Sequence, residues 1–194
     1  MEQRRLGRTG LTVSVLGYGC GAVGGLMVRG SAAEQDQAIG RAIDAGITYF
    51  DTAAIYGDGE SERNLGRALR ALRADATVST KVRIKPEGRG AVGDAIAASL
   101  EASLRRLGRD SVDLFQLHNP ITRAGQAPAF SPETILAEMI PALDQLRDQG
   151  KARWFGITAL GDAAALRHVL GAGAGAFAAA QVPYNLLNPS AAGA

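Results

Sequence analysis

The chain has 194 residues, 46% hydrophobic and 21% charged, which is a globular composition with enough apolar residues for one buried core, and it reads as a single domain over 1–194. Its 21 basic and 19 acidic residues leave a formal net charge of +2, which gives no electrostatic basis for nucleic-acid or anionic-membrane partners. Cys20 is the single cysteine, so an internal disulfide and a cysteine metal cluster are excluded and no metal is expected; the start "MEQRRLGRTG" has no apolar signal stretch and no run approaches the ~20 apolar residues of a membrane span, so a reducing, cytoplasmic setting is expected.

Short β-rich runs recur in chain order at Val13–Tyr18, Ile47–Asp51, Thr77–Lys81, Val112–Leu117, Arg153–Thr158 and Phe177–Pro183. Between them the apolar spacing is helical. Ser31 and Glu34 form a capping box that opens the first helix, Ala38, Ala42 and Ala45 are its expected inner face, and Gly46 suits its C-terminal cap. Leu65, Ala68, Leu69 and Leu72 line the second helix; Ile96, Leu100, Leu104 and Leu107 line the third, which stops at Gly108. The fourth starts at Ser131-Pro132-Glu133, and Pro141 within it predicts a kink or two pieces before Gly150. Asp162 caps a shorter fifth helix with Leu166, Val169 and Leu170 inside.

Repeated strand–helix units without a hairpin signal such as Asn-Gly mean a parallel sheet. Two architectures compete, an open doubly wound sheet and a (β/α)8 barrel. The pattern holds six strands, whereas a barrel needs eight and typically ~250 residues, so length alone favours the open sheet. Gly19-Cys20-Gly21-Ala22-Val23-Gly24 matches the dinucleotide-binding spacing after a strand, and Asp51 ends the next strand. That fingerprint works only where the loop feeds directly into a helix, and here "GLMVRGS" intervenes before the capping box.

The strand ends carry a stronger signal. Asp51 and Tyr56 follow the second strand, Lys81 closes the third and His118 the fourth, all on the edge where parallel folds build their sites. Singly, each has a plain structural role: a turn cap, a packing ring, a solvated lysine, a turn histidine. Together they make chemical sense. A phenol titrates near ~10, too high for efficient proton transfer at neutral pH, and a neighbouring ammonium favours its ionised form. A carboxylate would hold that ammonium, and a neutral imidazole can donate to a substrate oxygen. Such a set polarises a carbonyl and supplies a proton but no electrons, which implies a hydride-donating cofactor beside it.

"DTAAIYGDGESERNLGRAL" after the second strand, "VSTKV" on the third, "SLRRLGRDSVDLFQLH" leading through the fourth and "GKARWFGIT" on the fifth together resemble the aldo-keto reductases, a family of NADP(H)-dependent (β/α)8 barrels. The resemblance covers essentially the whole chain. It implies a catalytic tetrad of Asp51, Tyr56, Lys81 and His118, with Tyr56 as proton donor in carbonyl reduction. It recasts Gly19, Cys20 and Gly21 as a loop beside NADP(H), with Asp51 nearby, and assigns the nicotinamide amide to Thr158 and Gln181. The residue after Thr158 is usually asparagine in the family and is Ala159 here, which removes one amide contact.

The fold this implies is an incomplete (β/α)8 barrel of about six units, because the chain stops at "NLLNPSAAGA" soon after the sixth strand. The expectation is a truncated chain, or one completed by a partner, whose first and sixth strands are open edges prone to self-association. Such a piece should bind NADPH weakly by itself. Two functional classes follow: an oxidoreductase acting on a small-molecule carbonyl or alcohol, and a non-catalytic, regulatory module of the same family. Elsewhere the expectations are structural. Cys20 is a packing residue, His168 faces solvent, Trp154 wedges between strand and helices, "GAGAGAFAAA" caps a strand, and "VRIKPEGRG" is a solvated loop.

Overall fold

The computed structural model describes residues 1–21, 23–85, 91–189 and 191. It begins with an antiparallel hairpin, β1 (Gln3–Arg5) and β2 (Thr12–Ser14), joined through a tight helical turn at Gly7–Thr9 and Gly10 at φ 73°. This corrects the expectation of one strand over Val13–Tyr18 and of no hairpin. Ser14 and Thr48 exchange hydrogen bonds, the Ser14 amide to the Thr48 hydroxyl and the Thr48 amide to the Ser14 hydroxyl, which ties β2 to the entry of the next sheet strand. The chain then leaves that register with Val15 and Leu16 exposed. Arg8 donates to the carbonyls of Gly175 and Phe177, so the hairpin spans the strand starts at the bottom of the sheet.

The main sheet starts with β3 (Tyr18–Gly19), only two residues long. Two helices follow, α1 (Leu26–Arg29) and α2 (Ala32–Asp44), the second opened by the expected capping box of Ser31 and Glu34. Its buried face is Gln35, Ile39 and Ala42 rather than Ala38, Ala42 and Ala45; Ile39 buries more apolar surface than an alanine, and that turns the helix. Gly46, at φ 86°, lets the chain leave α2 as expected. β4 (Tyr49–Asp51) leads through the Tyr56 turn into α3 (Glu60–Ala71), where Leu65, Ala68 and Leu69 are buried. Leu72, expected inside, caps the helix and is exposed.

β5 (Thr77–Val82) is followed by α4 (Ala91–Leu107), with Ile96, Leu100, Leu104 and Leu107 all buried as their spacing predicts. Of the expected "VRIKPEGRG" loop, Pro86 to Gly90 lie outside the described residues; within the described part Ile84 is buried. After β6 (Val112–Leu117), α5 (Pro132–Thr134) widens into a π-helical stretch at Ile135–Met139 and resumes as α6 (Ile140–Asp148). The two-piece helix is the predicted consequence of Pro141, which has no N–H to give and whose ring crowds the preceding turn. β7 (Ala152–Thr158), α7 (Ala163–Ala172) and β8 (Phe177–Gln181) complete the chain order. On α7 Val169 is buried and Leu170 is exposed, which corrects its expected place inside.

The strand order is β3-β4-β5-β6-β7-β8, every neighbouring pair parallel. No reversal occurs in that order. The doubly wound alternative, and with it the dinucleotide reading of Gly19 to Gly24, is overturned, because both need a switch point where the order turns back. The sheet is an incomplete (β/α)8 barrel. Its outer face, with Phe50, Phe115 and Phe155, packs on Leu65, Leu100 and Leu107 of the helices to form the core. Its inner face is concave and opens toward the strand starts into a cavity of ≈ 370 Å³ lined by Arg5, Leu6, Val13, Tyr49, Leu114 and Gln116 among others. Among the described residues no helix is long and apolar enough to cross a membrane.

Candidate active site

Side chains alternate across a strand, so residues two apart share a face. That rule assembles the site. Asp51, Lys81, Thr158 and Gln181 lie at the C-terminal ends of β4, β5, β7 and β8, and His118 directly follows β6. One step below them stand Tyr49, Ser79, Gln116, Gly156 and Ala179. Gly156 has a packing reason: a Cβ there would sit 3.1 Å from Cγ of Gln116 and 2.9 Å from the Ala179 carbonyl, so only glycine leaves Gln116 its room.

Lys81 is the centre of the arrangement. Its side chain is 1% exposed, a position where an ammonium needs its full set of acceptors. It has them: Asp51 Oδ2 at 2.6 Å, the Thr52 carbonyl at 2.8 Å and the Tyr56 hydroxyl at 3.5 Å. The ammonium also lies 5.1 Å from the centre of the Tyr56 ring. The first two contacts are strong and charge-assisted; the third is long and leaves the phenol free to turn toward a substrate.

Tyr56 reaches this position on a turn built for it. Gly57 and Gly59 both have positive φ, and so does Asp58, so the chain doubles back sharply before α3. The Tyr56 ring meets His118 edge to face, with centroids 6.1 Å apart and planes at 90°. His118 is half-buried and its protonation midpoint is pushed down to about 4, first by burial and then by the Lys81 and Arg83 charges, with Asp51 opposing. It is a neutral imidazole at pH 7. Its Nδ1 is buried and has no hydrogen-bond partner among the described residues.

Tyr56, His118, Thr158, Leu160, Gln181, Val182 and Pro183 line one pocket of ≈ 280 Å³ at this edge. Thr158 is buried, its hydroxyl donating to the Leu117 carbonyl, while Gln181 is exposed and its amide nitrogen lies 3.4 Å from Asp51 Oδ2. Gly19 pairs beside Asp51, and Gly21 approaches the Tyr56 ring, 3.9 Å from where its Cβ would be. Cys20 turns the other way. It is fully buried in the core, and burial pushes its thiol up to about 12, so it is a packing residue as expected, with no thiolate to offer. Among the described residues no cluster of three or more acidic, histidine or cysteine side chains is arranged to hold a metal.

The sequence reading missed the lower tier. Gln116 donates to Ser79 Oγ at 2.9 Å and reaches Asp51 Oδ1 at 3.5 Å, bracing the carboxylate from below. The signal was present, because Gln116 precedes His118 by two and Ser79 precedes Lys81 by two. Asn119, fully buried, grips Ile84 through both its amide and its carbonyl and also donates to the Pro128 carbonyl, fixing the turn behind His118.

Comparison with known proteins adds an independent line. Residues 15–192 match the model of the aldo/keto reductase family. The chain is 38% identical over 165 residues to L-galactose dehydrogenase of Arabidopsis thaliana, a match that covers 82% of this chain and 49% of that one. It is 32% identical to a probable voltage-gated potassium channel subunit beta of Oryza sativa subsp. japonica, covering 80% of this chain and 46% of that one. Among solved structures, a thermostable aldo-keto reductase, Tm1743, determined with the inhibitor epalrestat, superposes with a TM-score of 0.76 at 29% identity, covering 97% of this chain and 64% of that one. The chain thus spans about half the length of the curated relatives it matches.

Proposed function

The chain belongs to the aldo/keto reductase family of oxidoreductases, and from that premise we propose that it carries the catalytic side of an NADP(H)-dependent reductase of aldehyde or ketone carbonyls. One observation carries the reading: a buried Lys81 ammonium binds Asp51 at 2.6 Å and lies 3.5 Å from the Tyr56 hydroxyl, with the neutral His118 edge to face with the same ring.

The pocket suits a nicotinamide and a small carbonyl. It has one apolar wall, at Leu160 and Val182, and a polar side at Thr158 and Gln181. The bound cofactor supplies a hydride; the chain's own residues do the rest. Gln181 and Thr158 would orient the carboxamide. A substrate oxygen placed between Tyr56 and His118 would accept from both, the unpartnered imidazole serving as an uncharged donor. Tyr56 would pass its proton to that oxygen as negative charge develops there. Lys81 stabilises the phenolate left behind, and Asp51 keeps Lys81 in place. The lone thiol, buried at Cys20, suits the reducing cytoplasmic setting proposed for the whole protein.

The relatives that are potassium channel beta subunits favour a second, regulatory reading. Turnover separates the two. With NADPH and a panel of small aldehydes, loss of nicotinamide absorbance is expected for the whole protein, with its barrel completed, and there Tyr56→Phe should lower kcat by about 10²–10⁴-fold while the cofactor Kd stays nearly unchanged. Cofactor binding with no turnover on any carbonyl would favour the regulatory reading; full activity in Tyr56→Phe would overturn the assignment of the proton donor.

A further inference from the structure

Two consecutive residues at the start of α3, Ser61 and Glu62, are polar, fully buried and outside the pocket. Burying polar groups is costly without partners, so their bonds are specific. Ser61 Oγ donates to the Cys20 carbonyl at 2.8 Å and lies 2.8 Å from the Thr52 hydroxyl. Glu62 accepts from the Thr80 hydroxyl at 2.5 Å and from Arg106 Nε at 2.6 Å. Thr52 and Thr80 are the chain neighbours of Asp51 and Lys81, with side chains on the opposite face of the sheet. The Thr52 carbonyl is itself an acceptor for Lys81. Arg106 also lies over the Tyr56 turn, where a Cβ on Gly59 would meet its Cδ at 2.4 Å.

We infer that Ser61 and Glu62 form a positioning clamp. They grip from behind the strand residues that carry Asp51 and Lys81, and they sit on the helix into which the Tyr56 turn runs. The ends of β4 and β5 and the start of α3 are thereby set in one register, and the 3.5 Å separation of Tyr56 from Lys81 is fixed by groups outside the pocket. A clamp of hydroxyls and one buried carboxylate is directional, whereas apolar packing of α3 on the sheet would tolerate sliding.

The inference takes its catalytic meaning from the proposed reductase reading, and its test has an arm independent of it. The Thr52→Val/Thr80→Val double variant removes both hydroxyls and keeps the shape; Thr52→Ser/Thr80→Ser keeps the hydroxyls and is the rescue. The first readout is the through-space NMR cross-peak between the Tyr56 and His118 rings, followed in variants whose amide spectra remain dispersed. It should weaken at least several-fold in the valine variant and return in the serine variant. The second is turnover with NADPH and an aldehyde, where kcat should fall about tenfold to a hundredfold with little change in KM, the cost of small misplacement. Where the double variant fails to fold, the single variants Thr52→Val and Thr80→Val carry the same readouts. An unchanged cross-peak in a folded valine variant would overturn the clamp. A weakened cross-peak in the valine variant, together with no turnover on any carbonyl by the unsubstituted whole protein, would uphold the clamp and reject the reductase reading.

Discussion

β6 and β8 belong to the same parallel sheet and are nearly the same length, yet all six residues of β6 are buried and none of the five in β8 is. The difference is a matter of neighbours. β6 pairs with β5 on one side and β7 on the other, while among the described residues β8 pairs only with β7. Composition follows: β6 is Val-Asp-Leu-Phe-Gln-Leu, and β8 is Phe-Ala-Ala-Ala-Gln. The groups proposed for proton transfer therefore stand on the part of the sheet held from both sides. Gln181, proposed to orient the cofactor, stands on β8, which among the described residues is paired on one side.

The sharpest way to break that contrast is to remove one aromatic ring from each region. Phe115 is 1% exposed in the centre of β6, and Phe115→Ala should cost about 3–5 kcal/mol of stability, the range for a buried ring that leaves a cavity. Phe177 opens β8 half-buried, and Phe177→Ala should cost only about 1 kcal/mol. Urea unfolding of both variants measures this. Equal losses would mean that β8 is packed as firmly as β6 in solution.

A smaller effect comes from pH. The His118 midpoint of about 4 lies below the usual 6.5. The unfolded chain therefore binds a proton that the folded one refuses between these values. Stability from this group is fully present above pH about 6.5 and is lost progressively as pH falls toward about 4. With the half-exposed ring screened by solvent, the loss between pH 7 and pH 5 should be about 1 kcal/mol. His118→Gln should be less sensitive over that interval by the same amount. A wild-type stability curve no steeper than that of the variant would reject the buried, neutral imidazole.

The sequence showed the strand ends because period-two and period-3.6 patterns are local, and Asp51, Lys81 and His118 each close a readable apolar run. It placed the inner faces of α3 and α4 well, since leucines at helical spacing dominate there. It failed at β2 and β3. There Val13 to Tyr18 reads as one β-rich run, and the break depends on Thr48, 34 residues away, capturing Ser14. It also mislaid the face of α2, where the small alanines carry little directional preference and the buried Gln35 is bonded by Arg67 from another helix. The braces at Ser61 and Glu62 were invisible for the same reason: polar residues become recognisable as structural only when their partners are brought close, whereas Gln116 could have been found from its spacing of two before His118.

The smallest predicted effect concerns β8. Gln181 is exposed, and among the described residues its side chain makes a single long approach, of its amide nitrogen at 3.4 Å to Asp51, a carboxylate already held by Lys81 at 2.6 Å and approached from below by Gln116. Removing it takes nothing from the core and leaves Asp51 paired. Gln181→Ala should therefore change stability by no more than about 0.5 kcal/mol, as for ordinary surface positions. Its effect on NADPH should be larger than its effect on folding. A neutral hydrogen bond to the carboxamide is worth about 0.5–1.5 kcal/mol, so Kd should rise by roughly threefold to tenfold. Paired unfolding and calorimetric titrations of wild type and variant give both numbers. A stability loss comparable to that of Phe115→Ala would show that the Gln181 side chain holds β8 in place rather than awaiting a ligand.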